Sequence, residues 1–315
     1  MRVAILLACA VCITERASAS QRILSLRQRG EPALLLTPAI KKFHPRYATI
    51  RSFKHFSDEV LFGKEGPLPN DARQGFIGDC YLIAVLSGLA DVDPQRVQNL
   101  FARNADGSLA LDESGRAQVV FHRLVKLGHY EADRVPITAK FLLDKKGRPV
   151  FAKVVDAKLW VAAVEKAFAV WNDRLDKDDA YDSQYYVVPR DKRGWDRIES
   201  GYALHVLEAL SGAPSTLRTL NANEQQTNQT FAAIRQALTS HRVVAAVSVN
   251  RASLERVNLA AAHVYSVHRV FEVDGTKYIQ LRDPSNRRQR RFRLSLEDFA
   301  ARFDQVAIEG TVATN

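Results

Sequence analysis

The sequence predicts an α+β fold with two lobes, because the pattern of apolar residues changes along the chain. Helical spacing dominates between about residues 71 and 212, and strand patterns dominate the last third. The dipeptide Asp274-Gly275 separates two strand-like runs and is a strong signal for a two-residue hairpin turn. We therefore expect a helical lobe at 71–215 and a β-rich lobe at 216–310.

The elements of the first lobe follow from caps and apolar spacing. Asp79 is expected to cap a helix from Cys80 to about residue 90, and Asp93-Pro94 should start a second helix that reaches about residue 101. Alternating and apolar runs predict strands, and 3.6-residue spacing predicts two further helices. The strands are placed at 118–122, 141–143 and 150–155, and the helices at 159–171 and 198–210.

The last third reads as a helix followed by a sheet. A helix is predicted at 230–240, a buried strand at 243–249, and a hairpin with strands at 263–273 and 277–282. Ser295 and Asp298 have the spacing of a capping box, which predicts a final helix through Phe303.

The first 70 residues are expected to lie outside these lobes. Residues 1–19 resemble an export signal, with Arg2, an eleven-residue apolar run and a small-x-small site at 17–19. Residues 20–70 form a basic, proline-broken arm. We expect a secreted or periplasmic protein, with an intracellular one as the alternative, and no transmembrane segment in the mature chain.

Composition describes an ordinary globular protein with a basic surface. The chain has 46% hydrophobic and 25% charged residues, and 45 basic against 35 acidic residues give a formal charge of +10. Five arginines lie within 287–293, either as a solvated edge strand or as a cleft mouth that favours acidic substrates. Because only one aromatic residue, Phe292, lies among them, they lack a series of base-stacking aromatics, and we expect no nucleic-acid partner.

Cys80 is the residue that most strongly indicates chemistry. The other two of the three cysteines lie in the expected leader, so the mature chain would keep a single thiol. This thiol is either a small buried core residue or a nucleophile. A helix N-terminus favours the thiolate, and Gln74 together with the backbone N–H of Cys80 could stabilise an oxyanion. Gly75 and Gly78 would let this loop fold tightly.

A general base is expected at the start of the hairpin. His263 begins one strand and Asp283 ends the other, so the tight turn alone brings them together. His268 shares the strand but should point to the opposite face. His205 lies on a helix, where a core or surface role is expected. A structural role for His263 also remains open, because strand histidines are often structural.

Several separated motifs together resemble the calpain family of cysteine proteases over about residues 70–310. They are Gln74-Gly-x-x-Gly-Asp-Cys80, Leu159-Trp-x-x-x-x-Glu-Lys-Ala-Phe168, His263-x-Tyr-Ser-Val267 and Leu281-Arg-Asp-Pro284. Gly201, Leu210-Ser-Gly212 and Leu296-Glu-Asp-Phe299 add to the likeness. The resemblance implies a papain-like two-lobe fold, with a helical lobe carrying the cysteine and a β-sheet lobe carrying the histidine.

The resemblance also implies roles and departures. Cys80 would be the nucleophile, His263 the general base and acid, and Gln74 an oxyanion donor. Asp283 occupies the place of the family's asparagine, and Tyr81 the place of a tryptophan. Pro284-Ser-Asn replaces a Pro-Trp-Gly segment, so water is expected to compete for the His263–Asp283 bond. A degenerate protease that only binds its targets is the alternative.

Cofactors and partners follow from the same resemblance. No cofactor is required by the sequence, and calcium is possible because calpains bind it. The acidic stretch at 173–182 could bind calcium, although it lacks regular ligand spacing and a solvated loop is simpler. The expected partners are protein or peptide substrates, and the chain is expected to be a monomer.

Overall fold

The computed structural model describes residues 49–52, 55–126, 128–143, 147, 149–175, 194–220, 223–251, 254, 258–285 and 291–311. The expected leader at 1–19 and residues 20–48, 53 and 54 of the basic arm lie outside the described residues. So do most of the acidic stretch and residues 286–290. Within the described part of the chain, no helix is long and apolar enough to cross a membrane.

The first part of the chain is mainly helical, as predicted. Its helices are α1 (Asp58–Phe62), α2 (Cys80–Val92), α3 (Pro94–Asn99), α4 (Trp160–Leu175) and α5 (Ala203–Ser211). Its strands are β1 (Thr49–Ser52), β2 (Ala117–Lys126), β3 (His129–Ile137) and β4 (Lys140–Leu143). Strand β1 pairs with β4, and β2 pairs with β3, so these strands form two separate two-stranded antiparallel sheets.

Local signals explain where these helices begin and end. The carboxylate of Asp93 accepts hydrogen bonds from the N–H groups of Gln95 and Arg96, which caps α3 as predicted. Gly212 ends α5 in the left-handed conformation with φ of 68°. The strand predicted at 150–155 is wrong, because this segment makes only isolated bridges at its ends.

The second part of the chain is dominated by one six-stranded antiparallel sheet. Its elements are β5 (Thr216–Thr219), α6 (Glu224–Thr239), β6 (Val244–Ser248), β7 (Val264–Val273), β8 (Thr276–Arg282), β9 (Arg291–Ser295), α7 (Leu296–Arg302) and β10 (Phe303–Ile308). The strand order is β5-β10-β6-β7-β8-β9. The Asp274-Gly275 turn has positive φ at both residues, as a two-residue hairpin requires.

Two hydrophobic clusters lie on opposite faces of this sheet. The larger one joins the helices of the first part to inward residues of the sheet, among them Val243, Ala245 and Val264. The smaller one lies between the other face and helices α6 and α7, and includes Tyr265 and Phe299. Helix α2 packs on the sheet at Gly88, where an added Cβ would lie 2.8 Å from Val243 Cγ1. The first turn of α2 is thereby placed near the hairpin of β7 and β8.

The arrangement is therefore a mixed α/β fold with helices first and a sheet last. The predicted boundary between lobes at 215–216 falls just before β5 and stays a prediction.

Candidate active site

Cys80 is the first residue of α2 and is a half-buried free thiol. By helix geometry the N–H groups of the first turn have no partner within the helix, so they favour negative charge at this position. Asp79 occupies the cap position, but its side chain makes no capping hydrogen bond. The expected side-chain cap is therefore wrong, and the carboxyl group of Asp79 is buried instead.

His263 is held by the end of strand β6. Its backbone N–H donates to Ser248 Oγ at 3.0 Å, and its carbonyl accepts from the Ser248 N–H at 2.9 Å. Ala262, directly before it, adopts a positive φ of 47°. This turn brings the chain into β7 with the imidazole next to the following strand.

The predicted contact between His263 and Asp283 is present. Ser266 pairs with Arg282 across β7 and β8, and this register places the residues beyond the strand ends side by side. His263 Nε2 and Asp283 Oδ1 lie 2.9 Å apart, and the same oxygen accepts from the Ser285 N–H at 2.7 Å. Because Nε2 is engaged here, Nδ1 is the ring nitrogen left for another partner.

The thiol of Cys80 supplies that partner. Burial lowers the pKa of His263, but the negative charge of Cys80, hydrogen bonds to Asp283 and Cys80, and the charge of Asp283 outweigh it and raise the pKa to about 10. Burial raises the pKa of Asp283. The hydrogen bond and charge of His263 and the Ser285 N–H lower it by more, so the pKa of Asp283 lies below its usual value. His263 thus lies between the Cys80 thiol and the Asp283 carboxylate, and its surroundings favour the protonated form of its ring.

The His263–Asp283 pair is shielded from water despite the missing tryptophan. The side chains of the two residues are 11% and 7% exposed. The ring of Tyr265 meets that of His263 edge-on at 4.9 Å. Water therefore has little access to this bond in the described structure, and whether it competes for the bond stays a prediction.

Gln74 lies in the loop before the cysteine, as expected, but its amide is held within that loop. Its Nε2 donates to the Ile77 carbonyl at 2.8 Å. The close approach of this loop to the chain requires Gly75, where a Cβ would lie 1.4 Å from the Phe151 carbonyl oxygen. The role of Gln74 as an oxyanion donor stays a prediction.

Tyr81 is a buried support for the first turn of α2. Its hydroxyl donates to the Ile198 carbonyl at 3.0 Å, and its ring packs on Gly201. A Cβ at residue 201 would lie 2.4 Å from Tyr81 Cζ. The tyrosine therefore fills the place of the expected tryptophan with its own hydrogen bond.

Gly201→Ala should lower the free energy of unfolding by about 1–3 kcal/mol, because the new methyl group overpacks against the Tyr81 ring. The check is urea unfolding at neutral pH. Gly78→Ala is the matched control, since its nearest neighbour would be Glu199 Cγ at 3.7 Å. Equal stability of G201A and G78A would contradict the close packing of the Tyr81 ring on Gly201.

Arg282 links strand β8 to the loop before Cys80 and to helix α2. It is fully buried, and its Nη1 donates to the Ala72 carbonyl at 3.0 Å and to Ser87 Oγ at 2.9 Å. The Gln74 N–H donates to the Pro284 carbonyl at 2.8 Å. These bonds tie the loop before Cys80 and helix α2 to the strand end that carries Asp283.

Two other histidines have structural positions. His268 lies on the face of β7 opposite to His263, as predicted, and its Nδ1 is 2.7 Å from Asp91 of α2. His205 is buried and stacked on Trp171, and burial lowers its pKa to about 3. Of the core and surface roles expected for His205, the structure shows the core one.

The described residues contain no group of three or more potential metal ligands. Most of the acidic stretch at 173–182 lies outside them, so calcium binding stays a prediction. Asp173, which is described, accepts the Gly194 N–H with both carboxylate oxygens. In the arginine run, Arg291 pairs with Asp91 at 2.8 Å, and 287–290 lie outside the described residues.

Comparison with protein families supports the same interpretation. Residues 33–177 match the family model described as calpain family cysteine protease. This similarity indicates a hydrolase of the cysteine peptidase class, which acts on peptide or protein substrates. The matched segment includes Gln74 and Cys80 but ends before His263 and Asp283, so the structure alone places that pair beside the cysteine.

Sequence reasoning gave no role to Arg282, Glu165 or Asp71. Asp71 is buried and accepts from Leu68 N, Lys158 Nζ and Trp160 Nε1. Arg282 and Glu165 both lie within the quoted motifs. A charged residue next to apolar ones that are expected to be buried is rarely buried without a partner, and this signal could have identified both residues.

Proposed function

We propose that the protein is a cysteine endopeptidase with Cys80 as nucleophile and His263 as general acid and base, oriented by Asp283. The observation that carries this proposal is the position of His263 between the Cys80 thiol and the Asp283 carboxylate. A chain of nucleophile, base and orienting group is the arrangement that covalent acyl transfer requires.

In the first half of the reaction, the Cys80 thiolate attacks the carbonyl carbon of the scissile peptide bond. The developing oxyanion would be stabilised by the Cys80 backbone N–H and by a donor such as the Gln74 amide. His263 then gives its Nδ1 proton to the leaving amine, and the C–N bond breaks. The acyl group remains on sulfur as a thioester.

In the second half, His263 takes a proton from water, and the resulting hydroxide attacks the thioester carbonyl. The carboxylic acid leaves, and the Cys80 thiolate and the protonated histidine are restored. Asp283 holds the ring by its Nε2–H throughout and stabilises the imidazolium form.

The two-lobe papain-like arrangement belongs to the same proposal, with the cleft between α2 and the β7–β8 hairpin. It is supported by the two hydrophobic clusters and by the bonds of Arg282 between their elements. Export to the periplasm or the exterior is proposed from the signal-like sequence of residues 1–19. The protein is further proposed to act as a monomer on unfolded or loop segments of other proteins.

The test compares the full chain with Cys80→Ala and Cys80→Ser, using fluorogenic peptides and a thiol-reactive epoxide read by mass spectrometry. We expect peptide cleavage and labelling of Cys80 by the parent protein, and a loss of at least about a thousandfold in both variants. Unchanged melting temperatures would show that the fold is intact.

The degenerate alternative has its own signature. A protein that only binds targets would retain peptide binding but show no cleavage and no preferential epoxide labelling of Cys80. Residual cleavage by Cys80→Ala equal to that of the parent would overturn the assignment of the nucleophile.

A further inference from the structure

Two carboxyl groups are buried directly behind Cys80. Asp79 precedes the cysteine, and Glu165 lies on α4; both side chains are fully inaccessible to water. Glu165 Oε2 accepts the Ala152 N–H at 2.8 Å. The other three oxygens, both of Asp79 and Oε1 of Glu165, meet no donor at full hydrogen-bond geometry, and Asp79 has only weaker contacts with the Gln74 amide and its own backbone. Buried oxygens without partners are costly, so these groups require a proton between them.

The electrostatics of this pair point the same way. Burial raises the pKa of Asp79 to about 7, although Glu165, its own backbone and the Gln74 amide act against the rise. Burial and the adjacent Asp79 charge raise the pKa of Glu165 well above its usual value. The Ala152 N–H and the charge of Lys153 only partly oppose this. Two adjacent carboxyl groups in such a site cannot both be ionised.

We propose that Glu165 keeps a proton, donates it to the Asp79 carboxylate, and is thereby a positioning residue for the segment from Gln74 to Cys80. The catalytic consequence rests on the function proposed above, whereas the shared proton does not. It explains why Asp79 does not cap α2, since its side chain turns inward to this partner.

The bond would fix the nucleophile through the backbone of Asp79. The Asp79 carbonyl accepts the N–H groups of Leu82 and Ile83, which forms the first turn of α2. The Gly78 carbonyl accepts the Ser200 N–H at 2.9 Å on the other side. Removing the last shared proton would leave two anions facing each other, and their repulsion would displace Asp79 and, with it, Cys80.

The variant Glu165→Gln imitates the protonated acid. Its carbonyl oxygen can accept the Ala152 N–H while its amide donates to Asp79, and it does not titrate. A carboxyl group with a raised folded-state pKa contributes stability below its unfolded pKa of about 4 and loses it as pH rises through the folded value. We therefore expect the parent protein to lose stability as the pH rises above neutral, and we expect E165Q to lose less.

The first measurement is the melting temperature between about pH 6 and pH 9 in a Cys80→Ala background, where catalysis plays no part. We expect the parent to lose at least about 3 °C more than E165Q over this range. Infrared difference spectra at about pH 8 should show a protonated carboxyl C=O stretch that E165Q removes. Identical melting profiles and no such band would overturn the proposal even if the protein cleaves peptides.

The second measurement is the pH profile of cleavage in the active protein. E165Q should keep kcat/KM within about threefold near pH 6.5 and shift the alkaline limb to higher pH, whereas E165A should lose at least about tenfold. Glu208→Gln is the matched control, because Glu208 is also buried with a raised pKa but accepts from Ser215 N, away from the cysteine. An alkaline limb that moves equally in E208Q and E165Q, or in neither, would overturn the positioning role.

Discussion

Replacing Asp283 by alanine should lower kcat/KM by about a hundredfold to ten-thousandfold. The His263 ring would lose the acceptor of its Nε2–H, which lies 2.9 Å away, and its imidazolium would lose the adjacent negative charge. Removal of the orienting acid from a related triad costs up to about 10⁴ in kcat. The measurement is steady-state cleavage near neutral pH, with KM expected to change little.

Asp283→Asn is the matched control, because its side-chain oxygen can accept the same two hydrogen bonds. It should be more active than D283A but less active than the parent, and its pH profile should be narrower. The Asp283 carboxylate helps to raise the pKa of His263 to about 10, so the neutral amide should move the alkaline limb to lower pH. An unchanged alkaline limb in D283N, or an active D283A, would contradict the role of this carboxylate.

The stability of D283N should also depend on pH in a defined direction. Because the pKa of His263 is raised, its protonated ring stabilises the folded state fully below the unfolded pKa of about 6.5. This stabilisation is lost as the pH rises through the folded pKa of about 10. Because the pKa of Asp283 is lowered, its carboxylate stabilises the folded state above the unfolded pKa of about 3.8. This stabilisation is lost as the pH falls below that value. The difference in melting temperature between the parent and D283N should therefore be largest between about pH 4 and pH 6.5, and should shrink as the pH rises toward about 10.

Replacing Arg282 by alanine should be the most destabilising single change near the site. Its guanidinium is fully buried and holds the Ala72 carbonyl and Ser87 Oγ, and alanine would leave both without this donor beside a new cavity. Leaving a buried acceptor without its donor costs about 1–3 kcal/mol for each group, and the new cavity adds to this cost. We expect the melting temperature to fall on the order of 10 °C, with loss of cleavage at temperatures where the protein is still folded.

Arg282→Lys separates charge from geometry. A lysine keeps the positive charge but lacks the forked donor set, so it should recover part of the stability and little of the activity. Arg73, which is partly exposed and close enough to lower the pKa of Arg282, provides the control R73A with a small effect on stability. Equal melting temperatures for R282A and R73A would contradict the role of Arg282 as a tie between the two sides.

The sequence predicted the elements with strong local signals. The α2 helix, the Asp93 cap of α3, the αL glycine of α5 and the Asp274-Gly275 hairpin all depend on nearby residues, and each is present. The same hairpin geometry predicted the contact of His263 with Asp283, because a two-residue turn fixes which strand ends meet.

The features that sequence reasoning missed depend on distant partners. Strands β5 and β10 were not predicted, because β5 is a short edge strand and β10 was hidden by the end of the final helix. Strand β9 agrees with the edge-strand alternative given for the arginine run. Asp79 has every local property of a cap residue, yet its side chain lies inward beside Glu165 of α4. The shielding of the His263–Asp283 pair by Tyr265 likewise follows from tertiary packing.

The most direct test is the rate of alkylation of Cys80 by iodoacetamide as a function of pH, followed by mass spectrometry of the peptide that contains it. If sulfur and imidazole form an ion pair, Cys80 should react at about pH 6 nearly as fast as at pH 8, and His263→Ala should abolish the acidic reactivity. A thiol that reacts only above about pH 8, equally in the parent and in H263A, would contradict the account.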